Sequence, residues 1–377
     1  MKRQTLLFFP LFLACGRTSA ESSTVRTYAT NLRANYQDVV TEIEALKVAV
    51  DAFVAVPTGD GLQAAQTAWL ATRPPYGECE TSRFYGGPID QAQGVMNEWP
   101  IDENFIDYTA GNPQGGIIND THNYPEITAE VLAVADQKGG IENLSTGFHA
   151  IEFLLWGQRL AQTEGPGQRP YTDYLDGGTA THQARRRTYL KTVTAMLLAD
   201  MKGLTAAWDL TSATSYGSKF VAADSHQSLT KMLRGMSNLA IAELYYERMS
   251  DPYRTKDRKD EESCFSEATL SDLIGNALGV EDVYLGRYVN LEGKTLSGTS
   301  MSDLVKAKNP SLDMQMRQQI TAVRDAIAAI PPPFDHAVLA PEESDAHQKV
   351  KAALDAFSPL QTTLHSIAET LGVTINL

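Results

Sequence analysis

Residues 25–56 read VRTYATNLRANYQDVVTEIEALKVAVDAFVAV, and the apolar positions Tyr36, Val39, Ile43, Leu46, Val50 and Phe53 recur in steps of three and four. That period gathers them on one stripe of an α-helix, whereas a half-buried strand would alternate. A helix with one apolar stripe needs partners, so the fold follows from where the same period returns. It returns at 61–71, at 185–208 with Leu190, Val193, Leu197 and Met201, at 218–249, at 311–330, and in a last run carrying Val350, Leu354, Phe357, Leu364, Ile367 and Leu371. Shorter helical runs are expected at 125–136 and 271–279. Strand-like alternation with hairpin turns is nearly absent, so the expected class is all-α, as two helical bundles that an ancient duplication would suit. Prolines mark the expected ends: Pro74-Pro75 for the second helix, Asp251-Pro252 and Pro331-Pro332-Pro333 further on, and a kink at Pro359.

A chain of 377 residues exceeds the usual size of one domain. The polar run from Gly177 to His182 is the best boundary, giving one bundle over 25–180 and a second over 181–377. Ahead of them, Lys2 and Arg3 followed by the apolar run Leu6 to Ala14 have the layout of a secretory leader, residues 1–14, with a linker over 15–24. A small residue just before Cys15 fits a bacterial lipoprotein signal, in which that cysteine carries the lipid. The expected location is therefore the bacterial cell envelope, on the periplasmic face, anchored through Cys15. The formal net charge of -14, or -16 without Lys2 and Arg3, argues against nucleic acid as a partner and is compatible with cations. Cys79 and Cys264 permit one disulfide across the two halves, with two buried free thiols as the alternative.

The most interpretable chemistry lies in Ser145 to Gly157. If helical, its spacing stacks His149 and Glu152 on one face, where an imidazole and a carboxylate can supply two metal ligands or an acid/base couple. Between Gly77 and about Asn123 the sequence is loop-like yet holds Glu80, Arg83, Asp90, Trp99, Asp102 and Glu103, a mixture that favours an ordered, functional loop near the motif.

With these segments in place, the chain resembles the imelysin-like family of bacterial envelope proteins, which includes iron-regulated lipoproteins and members with a peptidase label. The family's Gly-x-His-x-x-Glu motif is matched by Gly147, His149 and Glu152. Further blocks fit: Trp69 to Tyr76, Glu80 to Asp90, Trp99 to Asp102, Tyr171 to Tyr174, Ser263-Cys264-Phe265-Ser266 and Val283 to Tyr288. The resemblance implies an all-helical two-bundle fold, a pocket near the meeting of the bundles, and a link to iron or another metal. In one departure, Leu270 stands where many relatives have histidine.

Three readings follow. In the first, His149 and Glu152 bind a metal with oxygen ligands from Glu80, Asp90 or Asp102; imidazole and carboxylates suit iron, then zinc or manganese, better than soft copper. In the second the same pair serves a metallopeptidase, although no base can be named and the zincin pattern His-Glu-x-x-His is absent. In the third an anionic ligand, a small metal chelate or an acidic polymer, meets Arg73 and Arg83 with Tyr76 and Asp102 beside them. No protein partner can be named.

Overall fold

The structure, a computed structural model, describes residues 19–159 and 165–375. Cys15 and the leader lie outside the described residues. In chain order the helices are α1 Ala20–Ala55, α2 Gly59–Cys79, α3 Pro88–Met96, α4 Glu103–Ile106, α5 Ala129–Ala135, α6 Gly147–Trp156, α7 Gln183–Ala207, α8 Tyr216–Ala222 and α9 Ser225–Asn238. They continue as α10 Asp251–Thr255, α11 Thr269–Leu285, α12 Met301–Lys308, α13 Pro310–Ala328, α14 Phe334–Leu339, α15 Asp345–Asp355 and α16 Phe357–Leu371. Between α9 and α10 the chain widens into a π-helix, Leu239–Ser250. A two-stranded antiparallel hairpin, β1 Arg287–Val289 and β2 Thr295–Ser297, pairs Tyr288 with Leu296; its six residues are too few to show an alternation in the sequence.

The all-helical expectation holds, and the six apolar positions of the opening stripe are all buried. Each large aliphatic side chain so buried stabilises the fold by about 1.5–3 kcal/mol. Ser19 caps α1 by accepting from Ser22 N at 3.0 Å, so the helix begins inside the stretch read as a linker. One group of helices is α1 with α2, α6 and α7; another is α9, the π-helix, α11, α13 and α16. Thus α7, which the boundary near 180 placed with the second bundle, packs along α1 and against α6. The two groups meet where α2 crosses α11.

That crossing explains why α2 does not stop at its prolines. Asn35 Nδ2 donates to the Pro75 carbonyl at 2.8 Å from the α1 side. On the other side α11 comes so close that a Cβ on Gly275 would lie 2.9 Å from the Pro74 oxygen, and one on Gly279 2.4 Å from the Glu78 oxygen. Contacts on both flanks hold a helix that local propensity alone would end. Elsewhere proline falls in a first turn, where its missing N–H would lack a partner anyway. Pro252 therefore opens α10, Pro310 opens α13 behind the Asn309 cap, and Pro359 sits in the first turn of α16 after a break at Ala356.

Candidate functional site

Helix α6 begins at a residue that only glycine fits. Gly147 has φ +84°, and a Cβ there would stand 2.5 Å from the Met96 carbonyl oxygen. Seated by that contact, α6 is buried on every side, and Trp69 Nε1 donates to the Phe148 carbonyl at 3.0 Å. One turn in, His149 Nδ1 meets Glu152 Oε2 at 2.8 Å, with both side chains out of solvent. The other Glu152 oxygen accepts from Ser266 N at 2.8 Å and Ser266 Oγ at 2.7 Å. Glu152 therefore accepts hydrogen bonds on both oxygens. It orients the ring through Nδ1, the arrangement that ligand histidines commonly have. The remaining nitrogen, Nε2, is buried and has no hydrogen-bond partner among the described residues.

His149 borders a small cavity shared with Trp99, Pro100, Glu103, Glu261 and Cys264. Only about 10 Å³ is open to the centre of a water-sized sphere, which is room for about one water or one small ion. Glu261 is 3 % exposed. Burial, then the nearby charge of Asp335, pushes its carboxyl up to about 8. Burial also raises Glu103, against the pull of Lys259. Beyond this corner opens a polar cleft of about 660 Å³, lined by Asn104, Asn112, Gln158 and Lys259 and sharing Glu103 and Cys264 with the cavity.

The other residues expected at the site are employed elsewhere. Glu80 accepts from Arg248 at 2.8 and 3.0 Å, from Arg83 at 3.1 Å and from Asn276 at 2.9 Å. Burial works to raise its carboxyl, yet Arg248 and Arg83 hold it down at about 2. Asp90 binds the backbone N–H groups of Phe84, Tyr85 and Gly87, fixing a turn in which Phe84 has φ +73°. Asp102 caps α4 by accepting from Asn104 N at 3.0 Å. Arg73 is fully buried on Asp272, Glu262 and Asn97 at 2.6 to 2.8 Å, so it offers nothing to an anionic ligand. Arg83 is divided between Glu80 and Glu243, and the Tyr76 hydroxyl donates to Gln93 at 2.8 Å.

Together Arg73, Arg83 and Arg248 with Glu80, Glu243, Glu262 and Asp272 form a buried layer of charge between α2, the π-helix and α11. Trp99 joins the layer to the cavity: Arg248 lies 4.8 Å above its ring, and the His149 ring is 6.1 Å away. Cys79 and Cys264 are both free thiols, Cys79 at the buried end of α2 and Cys264 on the cavity wall, so the suggested disulfide is not formed. Leu270 is buried in the first turn of α11.

Two participants escaped the reading of the sequence. Ser266 lies in the quoted Ser-Cys-Phe-Ser block, but nothing in that block says that it faces Glu152. Glu261 sits in a charged connector whose composition reads as solvated. Among the described residues, ligand atoms of Glu267, Asp335 and His336 also converge within 4.8 Å. There Arg159 and Arg258 already balance the two carboxylates, so that group is an ion-pair knot.

Residues 32–364 match the family described as Imelysin. The iron-regulated protein A of Synechococcus elongatus is 26 % identical over 362 residues, covering 92 % of this chain and 87 % of that protein. A crystal structure described as an iron-regulated protein A precursor from Parabacteroides distasonis superposes with a TM-score of 0.73 at 25 % identity, covering 95 % of this chain and 97 % of the other. An imelysin-like protein from Psychrobacter arcticum shares the fold, with a TM-score of 0.64 at 15 % identity over 95 % and 98 % of the two chains.

Proposed function

The chain belongs to the imelysin family, and from that premise we propose that it is an iron-related protein of the bacterial envelope that takes a metal ion, or the metal of a small chelate, at His149. The observation that supports this reading most is the buried His149 Nε2, left without a partner while Glu152 holds the opposite nitrogen. A neutral imidazole with Nδ1–H given to a carboxylate presents its Nε2 lone pair outward, which is what a metal ligand requires. Of the carboxylates on the same cavity, Glu262 is taken up by Arg73 and Arg248, and Glu261 and Glu103 would complete the donor set. One nitrogen and hard oxygens suit iron, and next zinc or manganese. A bound cation would supply the charge that lets Glu261 give up its proton in so buried a place. The open cleft beyond the cavity is where the rest of a chelate would lie, and its polar lining suits hydrated, oxygen-rich molecules. The name of the Synechococcus relative supports the link to iron. Anchoring through a lipid on Cys15 belongs to the same proposal.

The peptidase reading has less support, because both Glu152 oxygens are already engaged by His149 and Ser266 and no carboxylate of the cavity is left positioned as a general base. The test is metal titration, by calorimetry, of the mature protein and of His149→Ala and Glu261→Gln. Binding of one iron, zinc or manganese ion per chain that is lost in His149→Ala is expected. Equal uptake by the wild type and His149→Ala would overturn the assignment.

A further inference from the structure

A second cavity lies away from His149, in a slot between the first half of α1, the end of α2, the end of α11 and strand β1. Its free space totals about 430 Å³, but only about 30 Å³ is open to the centre of a water-sized sphere, so whatever enters is slender. Tyr28, Leu32, Met232 and Val283 make its walls largely apolar.

Most polar groups on the slot are satisfied within the chain. Thr24 donates to the Ala20 and Ser300 carbonyls, Asn35 to the Pro75 carbonyl, Thr81 to the Glu78 carbonyl, and the Tyr288 hydroxyl to Asp38 at 2.6 Å. Two groups are not. Asn31 is 9 % exposed, and its amide makes no hydrogen bond to any of the described residues. The Glu78 carboxyl, on the same slot, makes neither a hydrogen bond nor an ion pair with the described residues. Glu78 is half-buried at the slot, so its carboxyl and the Asn31 amide meet solvent only through the slot's narrow space and are open to a ligand that enters it.

The electrostatics around Glu78 are one-sided. Asp282 and Asp38 are its charged neighbours, and burial followed by those two charges pushes its carboxyl up to about 8. Arg287 answers Asp282 at 2.9 Å but is shared with Glu281 at 3.2 Å. The α11 C-terminus, capped by Gly286 on the slot, adds the negative end of its helix dipole. A cation would relieve all of this, and apolar walls favour one carried on carbon over a hydrated metal ion.

We infer that this slot binds a small organic ammonium, with its nitrogen at Glu78 and donating to the Asn31 amide oxygen, and a slender apolar body between Tyr28, Leu32 and Met232. This site is independent of the His149 centre. Glycine at 279 serves it too: a Cβ there would strike the Glu78 backbone and shift the carboxyl that receives the ligand.

Benzylammonium and n-butylammonium are the probes, benzyl alcohol the neutral control, each titrated calorimetrically into the full mature chain. Saturable one-to-one uptake of at least one ammonium is expected, with none of the alcohol. Affinity should fall at least about tenfold in Glu78→Gln and in Asn31→Leu, while His149→Ala binds as the wild type does. Glu78→Gln keeps the side chain's shape and replaces a carboxyl held mostly protonated at neutral pH, so the empty variant should melt no lower than the wild type. Should it fail to fold, Asn31→Leu carries the same reading. Absence of saturable ammonium uptake, or uptake that both variants retain in full, overturns the inference. So does uptake of zinc or magnesium ion at Glu78 in preference to either ammonium.

Discussion

Two buried polar regions stand side by side in this protein, with Trp99 and Glu262 on their common border. In the layer around Arg73 and Arg248, guanidinium groups and carboxylates answer one another. In the corner around His149 the same residue types are arranged so that one nitrogen remains over. The first has many more charges, and a list of buried ionisable residues would single it out as the active centre. What separates them is the remainder after internal pairing: a matched set builds the joint between helices, and an unmatched atom is what a ligand can use.

Breaking the matched layer should have the largest effect. Arg248→Ala leaves Glu80 and Glu262 buried without their shared counter-charge, and about 3–5 kcal/mol of stability should be lost on urea unfolding. A loss below about 1 kcal/mol would mean that the layer is not the joint. Gly147→Ala attacks the corner through its backbone. With positive φ and the Met96 carbonyl in the way, it should cost about 2–3 kcal/mol and lower metal uptake together with stability. Glu152→Gln should leave the melting temperature nearly unchanged while metal affinity drops about 10–100-fold; the opposite pattern would place Glu152 in the structural class.

The acid–base behaviour of Glu261 sharpens the contrast further. Its carboxyl is raised from 4.5 to about 8, so the empty native state holds a proton that the unfolded chain releases across that window. Stability conferred by that proton is complete below about 4.5 and disappears as the pH rises toward about 8. Metal binding must displace the proton, so affinity should climb with pH up to about 8, by at most about tenfold per unit. In Glu261→Gln both slopes should flatten, as urea titrations and calorimetry at several pH values would record. Smallest of all, Asp102→Ala removes a helix cap and should cost about 0.5–1 kcal/mol with metal uptake unaltered. A change in uptake would restore Asp102 to the site.

How much of this was legible beforehand follows from the range of the forces involved. The stripe of α1 and the spacing of His149 and Glu152 are local, and both are where the period puts them. The continuation of α2 through Pro74 and Pro75 depends on Asn35 and on glycines about 200 residues away, so no local signal could announce it. Glu80, Asp90 and Asp102 were chosen for chemical type, but a carboxylate serves equally well as a salt-bridge partner, a turn clamp or a helix cap. Only tertiary contacts decide among those uses. Ser266 and Glu261 were passed over for the converse reason: their importance comes from what lies across the fold.

The close crossing of α2 and α11 has a kinetic consequence. Gly77, Gly275 and Gly279 let the two backbones touch, so a hinge or shear between the helix groups would drive carbonyl oxygens into Cα atoms. The corner around His149 is thus held in shape before anything arrives. Its occupant should load in a single concentration-dependent phase set by passage through the polar cleft, with no slow closing step behind it.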